Sequence, residues 1–169
     1  MKNKPLEAGD TAPAFTARAI GGEYGDAGEI ISLDEFTGRP VVLYFYPKDD
    51  TPGCTTQACA LRDGWKELSA RLSGTKHRGV LFGVSTDSAA SHAKFIKKHN
   101  LPFPLLADEN RKLLEAYGVW VEKSMYGKNY MGTERTTFII GADGKIRAIL
   151  RKVKPADHAD RVLAELVRQ

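Results

Sequence analysis

The sequence predicts an α/β fold, a central mixed β-sheet flanked by helices, and three observations predict it. Val41–Tyr46 and Gly79–Ser85 are nearly unbroken runs of apolar residues, the pattern of strands covered on both faces. Between them, from about Pro52 to Leu72, apolar residues recur at spacings of three or four. Strand, helix and strand make a βαβ unit, whose strands run parallel. Further on, Thr136–Ile140, Ala142-Asp143-Gly144 and Lys145–Leu150 read as a hairpin, which is antiparallel. Both pairings in one chain require a mixed sheet.

Taken in order, residues 5–40 are irregular, with short strand candidates at Ala14–Ala19 and Glu29–Ser32 separated by turns at Gly21-Gly22 and Gly25. Leu33-Asp34-Glu35-Phe36 fits one helical turn before Gly38. After the βαβ unit, Asp87 or Ser88 caps a helix carrying Ala89, Ala93, Phe95 and Ile96 that ends near Asn100. Leu101-Pro102-Phe103-Pro104 breaks it, Leu105-Leu106-Ala107 is a short strand, and Glu109–Tyr117 is a brief helix closed by Gly118. Val121–Glu134 reads as an extended loop or hairpin. Pro155-Ala156-Asp157 opens a final helix with Val162, Leu163, Leu166 and Val167 on its apolar face. This order gives a thioredoxin-like architecture with an N-terminal extension and an insert before the last hairpin.

At 169 residues the chain fits one domain, 1–169, with a sizeable core. A formal charge of +4 is spread along the chain without an arginine-rich arm, so nucleic acid is not the expected partner. The start, Met1-Lys2-Asn3-Lys4-Pro5, leads into polar sequence with no secretory pattern, and no run is long enough to span a membrane. A cytoplasmic protein is expected, and two cysteines there are reactive or inert rather than a structural staple.

The junction of the first core strand and its helix carries the chemistry. Pro47 stops the strand, having no N–H for a ladder. Thr51 then Pro52 is a helix start, with the Thr hydroxyl placed to accept an orphan N–H. Cys54 falls at the third helical position, where free N–H groups and the positive dipole end favour an anion. Cys54, Ala58, Leu61, Trp65, Leu68 and Leu72 share one stripe, whereas Cys59 lies off it with Arg62 and Lys66. Cys54 is therefore expected at the edge of the core and Cys59 nearer solvent. The four histidines, His77, His92, His99 and His158, show no metal-ligand spacing, and His92 and His99 are expected on one solvated helix. Trp65 and Trp120 are expected in the core. Tyr126, Tyr130 and Met131 either line the mouth of the site or sit on a solvated loop.

Pro47, Thr51 and Cys54 match the Pro-x3-Thr-x2-Cys signature, and the fuller string Tyr-Pro-Lys-Asp-Asp-Thr-Pro-Gly-Cys-Thr has a second cysteine five positions on. With Gly118-Val119-Trp120 and Glu134-Arg135-Thr136-Thr137-Phe138, the chain resembles the peroxiredoxins, specifically the bacterioferritin-comigratory-protein or PrxQ subfamily. The resemblance covers most of the chain. It implies reduction of hydroperoxides without metal or organic cofactor, by Cys54 as peroxidatic residue and Cys59 as resolving residue. Pro47, Thr51 and Arg135 complete the pocket, thioredoxin is the implied reductant, and a monomer is the implied state.

Those roles make chemical sense. Bringing an ordinary thiol from a pKa of about 8.5 to about 6 takes roughly 3.4 kcal/mol of preference for the anion. A helix N-terminus supplies about 0.3–2 kcal/mol, so a cation such as Arg135 is needed. Ionisation alone does not explain speed, because nucleophilicity falls with basicity; Arg135, Thr51 and backbone N–H groups near Gly53 must also stabilise charge on the departing oxygen. Pro47 is expected to keep water off the sulfur. In an intact helix, residues five apart have α-carbons about 8.7 Å apart, beyond the roughly 7 Å a disulfide tolerates. Joining Cys54 to Cys59 thus requires the helix start to unwind. Two rival functions follow the same elements. A thioredoxin-type thiol–disulfide oxidoreductase needs Cys-x2-Cys, whereas the spacing is Cys-x4-Cys and no proline precedes Thr136. A redox-dependent chaperone needs an exposed apolar stripe, which the pattern does not demand.

Overall fold

A seven-stranded mixed sheet with helices on both faces forms the body of the computed structural model, which describes residues 4–74 and 78–168. Its strands are β1 (Thr16–Ile20), β2 (Glu29–Ser32), β3 (Val41–Phe45), β4 (Val80–Ser85), β5 (Leu105–Ala107), β8 (Thr137–Ile140) and β9 (Ile146–Leu150). They lie in the order β2-β1-β5-β4-β3-β8-β9. The βαβ reading holds: β3 pairs β4 in parallel, and β4 pairs β5 in parallel. β8 runs antiparallel to β3 and to β9, which makes the sheet mixed. A separate antiparallel hairpin, β6 (Trp120–Met125) and β7 (Lys128–Thr133), occupies the stretch left open between loop and hairpin.

The alternation along β3 divides the core. Val41, Leu43 and Phe45 face one cluster, with Phe82, Val84, Phe138 and the short helix α4 (Lys112–Ala116). Val42 and Tyr44 face the other, with Tyr46 just beyond the strand. That second face is covered by α1 (Pro52–Asp63), α2 (Trp65–Ser73), α3 (Ala89–His99) and α5 (His158–Val167). Burying both faces explains the continuous apolar run.

Three expectations need correction, and one open alternative is resolved. The helix from Pro52 to Leu72 is two helices, broken at Gly64, whose weak helix propensity and φ −91°, ψ 6° admit a turn there. The first strand is Thr16–Ile20, not Ala14–Ala19, because its register is set by pairing with β2 and β5. Ser88 is the cap of α3, accepting from the Ser91 N–H. His92 is fully buried, not solvated; His77 lies outside the described residues. Among the described residues no helix is long and apolar enough to cross a membrane.

Candidate active site

The site forms where β3 ends and α1 begins, at the carboxyl end of the parallel strands, where open α/β sheets place ligands. Pro47 directly follows the last ladder contact, a Tyr46 N–H to Val84 carbonyl bond of 3.0 Å, and is half-buried. Pro52 is the first residue of α1, so Cys54 occupies the expected third position, and the residue is 2% exposed. Ala58, Leu61, Leu68 and Leu72 continue the buried stripe, with Trp65 half-buried, and Cys59 is half-buried off the stripe. Both cysteines are free thiols.

Arg135 reaches the same point from across the sheet. The Phe45 N–H donates to the Thr136 carbonyl at 2.9 Å, and the Val153 N–H donates to the Arg135 carbonyl at 3.0 Å. These bonds fix the backbone of Arg135 opposite the end of β3. Its Nη1 donates to Cys54 Sγ at 3.4 Å and to Gln57 Oε1 at 2.6 Å. A Cβ added to Gly53 would lie 3.3 Å from Arg135 Nη2, so the bare glycine lets the guanidinium settle over the helix start. Gln57 is fully buried and was missed in the sequence; its place one turn after Cys54, on the same face, was the available signal.

Thr51 is the N-cap residue of α1 by position but not by its side chain. Its hydroxyl donates to the Lys48 carbonyl at 2.9 Å rather than accepting a helix N–H, because the loop curls back on itself. With its hydrogen so used, the oxygen is left as an acceptor, not the donor expected from sequence.

The surroundings are dry on one side and cationic on the other. Tyr44 lies beneath the site, its phenol held well above the usual tyrosine range by burial first, then by Asp49 and Cys54. His158, at the start of α5, stays neutral: burial, then Arg135 and Arg161, lower its pKa to about 3. Toward solvent, a groove of about 580 Å³ leads to Arg135, lined by Val121, Lys123, Tyr130, Glu134, Lys152 and Val153. Lys123 is held below the usual lysine range by burial, then by repulsion from Arg135. Tyr130 thus lines the approach, whereas Tyr126 is 98% exposed at the hairpin tip.

The AhpC/TSA family model matches residues 8–149 of the chain. The Bacillus subtilis protein named peroxiredoxin Bcp is 47% identical over 161 residues, covering 95% of each chain. The Escherichia coli peroxiredoxin Bcp is 44% identical over 160 residues, 94% of each. Among solved structures, Xanthomonas campestris peroxiredoxin Q superposes with a TM-score of 0.79 at 37% identity, covering 92% of this chain and 90% of that one. A bacterioferritin comigratory protein of the same organism, described for its alkyl peroxide reduction activity, gives 0.78 at 37% identity, covering 91% and 90%. With the thioredoxin-like sheet in place, the chain belongs to the AhpC/TSA family, in its Bcp or peroxiredoxin Q branch.

Proposed function

We propose that Cys54 is the nucleophile with which this peroxiredoxin reduces hydrogen peroxide and organic hydroperoxides, the latter supported by the alkyl peroxide activity described for the X. campestris relative. The observation that carries the reading is the buried Cys54 sulfur 3.4 Å from the Arg135 guanidinium. A thiolate there attacks the terminal oxygen of ROOH; the S–O bond forms, the O–O bond breaks, and RO⁻ departs to take a proton. The product is Cys54 sulfenic acid.

Each neighbour has a part in that step. Arg135 favours the anionic sulfur and meets the charge that grows on the leaving oxygen. Gln57 holds Nη1 in place through its 2.6 Å contact. Thr51 Oγ is oriented by Lys48 to accept the O–H of the hydroperoxide. Pro47 offers no N–H to compete for the sulfur and limits water at the mouth.

The sulfenic acid then condenses with Cys59: S–S forms and water leaves. Because an intact helix holds the two α-carbons about 8.7 Å apart, the first turns of α1 unwind in this step. Both cysteines sit on one helix of one chain, which supports an intramolecular, atypical 2-Cys cycle. The disulfide is returned to dithiol by thioredoxin, the reductant we infer from the family.

Peroxide consumption with a dithiol reductant tests the assignment. Cys54→Ser is expected to abolish it, and Arg135→Ala to slow Cys54 oxidation by about 10²–10³, the usual loss for one donor aimed at a developing oxyanion. Full turnover by Cys54→Ser would overturn the proposal.

A further inference from the structure

One buried polar cluster has no part in the steps above. It lies under the loop joining β3 to α1, and Asp49 is its centre. The Asp49 carboxylate accepts from the Tyr46 hydroxyl at 2.6 Å and the Ser91 hydroxyl at 2.8 Å, and faces His92 Nδ1 at 2.7 Å. Its own N–H donates to Asp87 at 2.8 Å, and Asp87 also accepts from the Ser85 hydroxyl at 2.6 Å. His92 Nε2 lies 2.9 Å from the Leu106 carbonyl, an acceptor only, so this nitrogen carries a hydrogen. One more proton must then lie between Nδ1 and the carboxylate, whichever of the two holds it. Asp49, Asp87 and His92 are close enough to share a cation. Both Asp49 oxygens, Asp87 Oδ2 and His92 Nδ1 already meet protein partners, however, so the cluster works as a hydrogen-bonded hub.

Its position gives it a use. Within residues 47–53, Asp49 alone is buried. The next residue, Asp50, turns the chain at φ +60°, a left-handed conformation open to aspartate, and its exposed carboxylate meets Lys98 and His99. Pro47 and Thr51 stand on either side of this anchor. Freed from it, the loop relaxes, Thr51 and the start of α1 leave their places, and unwinding toward Cys59 begins more readily.

We propose that the buried Asp49–His92 pair is a positioning pair: it holds the 47–53 loop in the geometry for peroxide attack and thereby sets the balance between the two fates of oxidised Cys54. While the loop is held, the sulfenic acid stays in the pocket, where a second ROOH can transfer an oxygen to it, giving sulfinic acid and ROH. Once it lets go, Cys59 reaches the sulfur and the disulfide forms with loss of water. The inference rests on the roles of Cys54 and Cys59 proposed above.

The test compares Asp49→Asn with the double variant Asp49→Ala/His92→Leu. The double variant replaces the pair by apolar groups and leaves no unpaired buried charge, so it keeps the question answerable if the single variant folds poorly. Three quantities are read: the stopped-flow rate of Cys54 oxidation in a Cys59→Ser background, the rate of disulfide formation with Cys59 present, and the sulfinate fraction by mass at high peroxide. Attack is expected to slow by about tenfold or more, as small misplacements of a catalytic loop do. Disulfide formation is expected to hold or quicken, and the sulfinate fraction to fall. All three unchanged in the folded double variant, or both half-reactions slowing together as in a general loss of structure, would overturn the role. Were the wild type to form neither product, the assignment of Cys54 would fail, and the pair's role with it. A reactive wild type beside an unaffected variant sinks the pair's role alone.

Discussion

One guanidinium nitrogen, Arg135 Nη1, faces both the sulfur of Cys54 and the amide oxygen of Gln57. A lysine could carry the charge, but as a rotatable point charge rather than a planar group held at one angle over the helix start. His158 shows how the same cation shapes its neighbours. Its pKa is lowered to about 3 by burial first and by Arg135 next, against an ordinary value of 6.5. The unfolded chain binds a proton at this histidine below about pH 6.5, while the folded chain refuses it until about pH 3. Stability is therefore present above that window and is lost as pH falls through it, by up to about 1.4 kcal/mol per pH unit. His158→Gln is expected to flatten the pH dependence of the urea unfolding free energy between about pH 6 and pH 4. A variant as steep as the wild type would contradict the neutral, buried imidazole.

The elements around the site were largely legible in the chain, and the exceptions have physical reasons. β3 and β4 announced themselves because both of their faces are buried, and Cys54 fell at the third position of α1 because Thr51-Pro52 marks a helix start. The break at Gly64 was hidden: Trp65, Leu68 and Leu72 keep the helical period across it, so hydrophobic spacing continues where the backbone does not. A Cβ at Gly64 would have the Ala60 carbonyl at 3.5 Å and Leu68 Cδ1 at 3.8 Å, ordinary contacts. Gly64→Ala is thus expected to raise the unfolding free energy by up to about 1 kcal/mol, through helix propensity and a less free unfolded chain. A fall of similar size in urea titration would show that the turn needs glycine.

Across the whole molecule, what the sequence withheld is what only tertiary structure brings together. Arg135 is placed near Cys54 by the resemblance carried in Glu134-Arg135-Thr136-Thr137-Phe138, with its position before a core strand in keeping. Asp49 and His92, 43 residues apart, give no such sign; Lys94, Lys97 and Lys98 make the helix read as solvated, although His92 stands on the face of Phe95 and Ile96. On the proposed cycle, Leu61, Leu68 and Leu72, buried in the core, hold α1 and α2 to the sheet while the turn carrying Cys54 unwinds to let Cys59 reach it. Intact mass after one equivalent of peroxide, without reductant, tests this most directly. The wild type is expected to become lighter by two hydrogens, with a peptide joining Cys54 to Cys59. Cys59→Ser is expected to gain one oxygen at Cys54 instead. A wild type that keeps the mass of its dithiol form, or a Cys59→Ser variant oxidised elsewhere than Cys54, would contradict the account.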